Sequence, residues 1–216
     1  MPNYSKKPSL TASDEEYTML IEVCEEFQKQ KTDKPNREKK VNPTVIVLRN
    51  HFIRRNLNLS TTPNATIQGS KIKTDLLLLK NGVNPNQEDY VPSQVKMIIE
   101  ARNHGAAVKT LKTGKQQDPN RALRLKFNEL EATTSVRNFA VVVFSETLLP
   151  PKGPYKWRFK EDVIGKENCK VFTLIARQLY PAGGLYVKSN VEAMLKMGQM
   201  KKTQELQKLI NYLTCL

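Results

Sequence analysis

The chain has 216 residues, 39% of them hydrophobic, a length that closes a single domain (1–216) around a sizeable core. Its 35 Lys and Arg against 21 Asp and Glu give a formal net charge of +14, a field that gathers polyanions, and nucleic-acid phosphate is the commonest polyanion a soluble protein meets. Three widely spaced cysteines (Cys24, Cys169 and Cys215) and two histidines (His51 and His104) exclude a disulfide framework and a zinc site, which implies a reducing, intracellular setting.

Residues 1–12 are polar and predicted loose, without the apolar run of a secretory signal, and no later stretch is long enough to span a membrane. The expectation is a soluble, cytoplasmic protein. Residues 13–60 read as N-terminal helices. Ser13 to Glu16 has the pattern of a capping box, followed by Tyr17, Leu20, Ile21, Cys24 and Phe27 at helical spacing to about Lys31. A charged linker containing Pro35 follows, and Asn42-Pro43 then pairs a capping side chain with proline at the first helical position. Val45, Leu48, Phe52 and Ile53 form that second helix's expected buried stripe, with Arg49, Arg54 and Arg55 outside.

Residues 65–145 read as the core of the fold. Thr66 to Lys73 alternates as a half-exposed strand does, with Gly69 at the position of a bulge. Asp75 to Leu79 is too short for a helix and apolar enough for a strand buried on both faces. Val95 to Arg102 is the next strand, with Val95, Met97 and Ile99 on one side and Lys96, Ile98, Glu100 and Arg102 on the other; Asn103-His104-Gly105 breaks it. Asp118-Pro119 opens a helix through Leu123, Phe127 and Leu130, and Phe139 to Phe144 is a buried strand. Residues 150–216 contribute a loop, a strand from Lys170 to Ala176, and a closing helix capped by Asn190 and running through Val191, Met194, Leu195, Leu206, Leu209, Ile210 and Leu213. Its methionines, Met194, Met197 and Met200, suit a core more than a dimer contact. The order predicts an α/β fold, a mixed central sheet flanked by helices, with the strand at Glu100 parallel to the strand at Phe139 across a helical crossover.

Two acidic residues stand at the rims of apolar strands. Asp75 opens a run of leucines and Glu100 closes a run of Met97, Ile98 and Ile99. A carboxylate at the edge of a core costs free energy unless it is paired or binds a cation. If the two strands form a hairpin, Asp75 and Glu100 meet at one end of the sheet, and alternation puts Arg102 on the same face as Glu100. Carboxylates, water and substrate phosphate are how proteins hold Mg²⁺, and such an ion promotes phosphodiester hydrolysis.

Lys73-Thr74-Asp75 followed by Ile99-Glu100-Ala101-Arg102 resembles the PD-(D/E)xK nuclease superfamily, which includes many type II restriction endonucleases. The resemblance covers about Val45 to Phe144 and implies a restriction-endonuclease-like core and a metal-dependent DNA endonuclease. It implies Asp75 and Glu100 as catalytic metal ligands, the Ala101 carbonyl as a further ligand, Mg²⁺ or Mn²⁺ as cofactor, and Arg102 as the cationic partner. Members often add a glutamate from the preceding helix region, for which Glu22, Glu25 and Glu26 are candidates. Thr74 replaces the family's proline. Arg102 replaces its lysine, which leaves open a slow enzyme, a lysine supplied from elsewhere (Lys73, Lys96 or Lys126), or a module that binds without cutting.

Cutting both strands of a duplex predicts a symmetric homodimer. Candidate phosphate contacts are Lys109, Lys112, Lys115, Arg121 and Arg124, together with Lys156, Trp157 and Arg158 in the basic-aromatic loop Pro150 to Lys160. Plainer readings stand beside these: Asp75 hydrogen-bonding a turn, Glu100 and Arg102 as a surface ion pair, His104 as an ordinary surface residue, the loop packed back on the sheet, and the lysines and arginines as a solvated helix face. The rival functions are a non-catalytic DNA- or RNA-binding protein on the same fold and a basic interaction protein without a nucleic-acid role.

Overall fold

Where apolar strands alternate with helices along a chain, the helices cover the sheet. The computed structural model describes residues 15–32, 41–104, 119–147, 159–177 and 187–215. Among them, six α-helices flank a mixed five-stranded sheet.

Helix α1 (Glu15–Thr32) starts with Glu15 and Glu16 in its first turn, where carboxylates complement the N–H groups of the helix start; Ser13 lies outside the described residues. Helix α2 (Pro43–Ile53) starts as the sequence predicts, Asn42 accepting a hydrogen bond from the Thr44 N–H with Pro43 at the first position. Its buried side is Val45, Val47, Leu48, His51 and Phe52. Ile53, expected inside, is 41% exposed because the helix ends there and the chain turns away through a left-handed Asn56.

Strand β1 (Thr66–Ile67) is far shorter than the predicted span to Lys73. At Gly69, φ is +93° and the chain turns, the Ser70 N–H bonding back to the Ile67 carbonyl and the Ser70 hydroxyl accepting from the Ile72 N–H. Gly69 therefore makes a turn and not a bulge. Strand β1 pairs in parallel with β3 (Asp89–Tyr90) in a small separate sheet. The leucine strand, β2 (Leu76–Leu79), is buried at every position and begins one residue after Asp75. It is antiparallel to β4 (Val95–His104), from Leu76 opposite Ile99 to Leu78 opposite Met97. The connection is an excursion that contains β3 and a 3₁₀ turn (Pro92–Gln94). A register shift at Leu78/Leu79 puts Leu79 opposite Val95. Val95 accordingly packs with Ile98, on the side opposite Met97 and Ile99, which corrects the simple alternation read from the sequence. Asn103 and His104 do not break β4 but extend it, His104 standing opposite Ser145; Gly105 lies outside the described residues.

Helix α3 (Pro119–Thr134) carries the chain to β5 (Phe139–Thr147), parallel to β4 as a crossover requires, with Glu100 opposite Val141. A short helix α4 (Glu161–Ile164) precedes β6 (Cys169–Arg177), also parallel to β5. The predicted closing helix is two helices, α5 (Lys188–Lys196) and α6 (Glu205–Thr214), separated by strand β7 (Met200–Lys202) antiparallel to β6. The break comes at Gly198, where φ is +67°. Asn190 lies inside α5, whose cap position is Val187. Sheet order is β2-β4-β5-β6-β7.

Two apolar layers sandwich the sheet. Helices α1, α2, α5 and α6 cover Leu76, Leu78, Met97, Ile99, Ala101, Ala140 and Val142. On the other face, Leu123, Phe127 and Leu130 of α3 cover Leu77, Ile98, Val141 and Val143, and the rings of Phe127 and Phe139 stack with centroids 4.4 Å apart. Cys24 and Cys169 are free thiols buried in these layers, their pKa values pushed up to about 12 chiefly by burial, so both are inert core residues. Among the described residues no helix is long and apolar enough to cross a membrane.

Candidate functional site

Antiparallel register carries Asp75 to Glu100: one step beyond Leu76 opposite Ile99, the two acidic residues face each other at the end of β2. Asp75 Oδ2 accepts a 2.9 Å hydrogen bond from the Ala101 N–H, and the Asp75 N–H lies 3.4 Å from Glu100 Oε1. Glu100 is only 1% exposed, on the sheet face that α3 covers. A carboxylate so buried needs cationic or N–H partners. It has two. Arg102 Nη2 donates to Glu100 Oε2 at 3.0 Å, and Lys126 Nζ, reaching over from α3, donates to Glu100 Oε1 at 2.5 Å.

Arg102 does more than pair with Glu100. Its Nη1 donates to Asp75 Oδ2 at 3.1 Å and to the Ala101 carbonyl at 2.8 Å. One guanidinium therefore touches Asp75, Glu100 and the Ala101 carbonyl together. The pKa of Asp75 is raised to about 6, first by burial and then by the nearby charge of Glu100; Arg102, Lys126 and the Ala101 N–H oppose the rise. Glu100 and Arg102 form the ion pair that the plainer reading expects, but on a buried carboxylate and not at the surface, and Asp75 bonds the Ala101 N–H and Arg102 across the strand pair.

The donor set suits a hard cation. Asp75 Oδ2, Glu100 Oε2 and the Ala101 oxygen already converge on one positively charged group, and oxygens of this kind are what Mg²⁺ and Mn²⁺ take. Among the described residues no group of three or more His, Cys, Asp and Glu is arranged to hold a metal, so the acidic side chains available here are these two. The upstream glutamates are engaged elsewhere: Glu22 with His51 at 2.8 Å, Glu25 with Lys188 at 2.5 Å, and Glu26 with Lys29 at 3.5 Å. All belong to α1, which packs on the sheet face away from α3.

Of Lys73, Lys96 and Lys126, only Lys126 is at the cluster; Lys73 is exposed before Thr74 and Lys96 sits near the far end of β4. A signal for Lys126 was present in its phase, three residues after buried Leu123 and one before buried Phe127, on the border of the helix's inner face. Thr74, at the family's proline position, is buried, and both its N–H and its hydroxyl donate to the Ala65 carbonyl, at 3.1 and 2.8 Å. Sequence reasoning missed His51, whose ring nitrogens lie 3.2 Å from Glu15 and 2.8 Å from Glu22 and tie α2 to α1. Its spacing from Leu48 already put it on the buried side.

Arg121 and Arg124 are exposed on α3, the helix that supplies Lys126. Lys109, Lys112 and Lys115 lie outside the described residues, as do Lys156, Trp157 and Arg158 with the rest of their loop before Phe159. No protein-family model, curated protein or solved structure matches the chain.

Proposed function

We propose that the chain is a divalent-metal-dependent DNA endonuclease with a restriction-endonuclease-like core, acting on double-stranded DNA as a symmetric homodimer in an intracellular setting. The observation that carries this reading is the convergence of Asp75, at the start of β2, with Glu100 and the Ala101 carbonyl of the neighbouring β4, with Lys126 beside Glu100. The antiparallel β2–β4 pair, the crossover helix and the parallel β5 follow the order the resemblance implies. The net charge of +14 supplies the attraction for a polyanion, and exposed Arg121 and Arg124 extend it along α3.

Asp75, Glu100 and the Ala101 carbonyl would hold Mg²⁺ or Mn²⁺. When bound, the ion supplies a more acidic water and offsets charge on the phosphate. The chain's own groups do the rest. Glu100, immobilised by burial, fixes the position of Lys126, and the Lys126 ammonium orients the attacking water and stabilises negative charge building at phosphorus. Lys126 thus takes the role of the family's lysine, while Arg102, always protonated, serves as the second cation and grips phosphate oxygens.

A second reading has its own observation. Arg102 already satisfies both carboxylates and the Ala101 carbonyl, as a site that has given up metal chemistry would. That reading is a DNA- or RNA-binding protein without catalysis. Incubating supercoiled plasmid with the protein and Mg²⁺ or Mn²⁺ separates them. The nuclease reading expects cutting that Asp75→Ala and Glu100→Ala abolish. Plasmid left intact yet shifted in a gel at low salt establishes the non-catalytic binder instead.

A further inference from the structure

Resting on that reading of the site, we infer that Arg102 is a resident cation which a divalent metal must displace, so that the free protein holds metal weakly until the guanidinium leaves. The geometry is specific. Asp75 Oδ2, the Ala101 carbonyl and Glu100 Oε2, the oxygens assigned to the metal, are the three that Arg102 bonds, at 3.1, 2.8 and 3.0 Å. Lys126 leaves them alone and bonds the other oxygen of Glu100. A metal on those oxygens and a guanidinium on the same oxygens are mutually exclusive, both by volume and by like-charge repulsion at such short range.

Which member moves is set by burial. Glu100 is 1% exposed and anchored by Lys126, whereas the Arg102 side chain is 28% exposed and flexible enough to rotate into solvent. Arginine also cannot make room by losing its charge, since its pKa lies far above any working pH. A lysine at this position presents a single ammonium, without the fork by which Arg102 bonds Asp75 and the Ala101 carbonyl through one nitrogen and Glu100 through another. The arginine departure from the family motif is therefore the feature that creates the competition.

The test measures Mn²⁺ binding by calorimetry, with free-ion paramagnetic resonance as a second readout, in the absence of nucleic acid. Wild type is compared with Arg102→Met, Arg102→Lys, Lys126→Met and Asp75→Asn, each first shown to be folded by its melting curve. Competition predicts that Arg102→Met binds Mn²⁺ at least about tenfold more tightly than wild type, a factor within reach of one hydrogen bond to a charged group. Arg102→Lys should fall between the two, and it keeps the test alive if the methionine variant does not fold. Lys126→Met removes an equal charge from the same carboxylate without clearing the three oxygens, so it should tighten binding much less. If Lys126→Met matches Arg102→Met, net charge alone is at work and the inference is overturned. Equal affinity in wild type and both Arg102 variants, with Asp75→Asn abolishing it, also overturns the inference but leaves the nuclease reading standing. No Mn²⁺ binding that depends on Asp75 in any variant overturns both.

Discussion

Lys126 Nζ lies 2.5 Å from Glu100 Oε1, joining a helix to a carboxylate buried in the central sheet. The pair places an ammonium beside the acidic cluster from a different element than the strand on which the motif lysine would stand. Removing it should damage chemistry more than binding. Lys126→Ala is expected to slow single-turnover cleavage by about 10²- to 10³-fold, the range for removing one group that stabilises charge in the transition state. Its affinity for duplex, read by gel shift, should change by no more than about tenfold, since a single charge already paired with Glu100 contributes little to phosphate binding. A variant that cuts at the wild-type rate would show that Lys126 only neutralises Glu100.

The raised pKa of Asp75 makes a stability prediction. Burial and the charge of Glu100 lift it from 3.8 to about 6, so the folded chain favours the protonated acid more than the unfolded chain does. An upward-shifted acid costs stability once it ionises: the penalty is absent below the unfolded value, grows as pH rises between the two values, and is complete above the folded one. In divalent-free buffer at about pH 7.5, Asp75→Asn should therefore be more stable than wild type, by on the order of 2 kcal/mol. At about pH 4 the difference should nearly vanish. Urea denaturation of both proteins at the two pH values measures it. A variant less stable than wild type at the higher pH would mean that the bonds from Arg102 and the Ala101 N–H outweigh the desolvation of Asp75.

Much of this cluster was legible because burial leaves a trace in sequence. Asp75 and Glu100 stand out as carboxylates where a run of leucines begins and a run of Met97, Ile98 and Ile99 ends, and the strand pair that joins them follows from those same runs. Lys126 was harder, since choosing it over Lys73 and Lys96 requires knowing that α3 crosses the face carrying Glu100. The side of Val95 was not legible at all, because it depends on a register shift opposite Leu79 that pairing alone determines. Strand β7 was hidden for a similar reason. Met200, Lys201 and Lys202 are too few and too polar to declare a strand, and they become one only against the edge of β6. The strand read from Thr66 to Lys73 shows the converse error: only Thr66–Ile67 is strand, and the alternation beyond it belongs to a turn at Gly69.

Gly69 and Gly198 share a positive φ but not a neighbourhood, which makes them a matched pair. A Cβ on Gly69 would lie 2.6 Å from the Thr133 carbonyl oxygen at the end of α3, whereas one on Gly198 would meet nothing within 4 Å. Gly198→Ala therefore bears only the left-handed backbone cost, roughly 1 kcal/mol. Gly69→Ala bears that and a backbone clash, for an expected loss of about 2–4 kcal/mol. Chemical denaturation of the two variants decides it, and equal losses would show that the chain at Gly69 moves away from α3 freely.

Thr74 stands where the PD-(D/E)xK motif that this sequence resembles carries a proline. The Thr74 N–H and hydroxyl both donate to the Ala65 carbonyl, within a segment where Thr74 and Ala65 are each 1% exposed. Proline has neither donor, so placing it here leaves that buried acceptor without them. Thr74→Pro should cost about 2 kcal/mol or more, two net hydrogen bonds at about 1 kcal/mol each. Thr74→Val keeps the N–H and should lose roughly half as much. The order wild type, Thr74→Val, Thr74→Pro in urea midpoints is the expected result. If Thr74→Pro instead matches wild type, the Ala65 carbonyl has found another donor, and the turn that delivers Asp75 to Glu100 does not depend on Thr74.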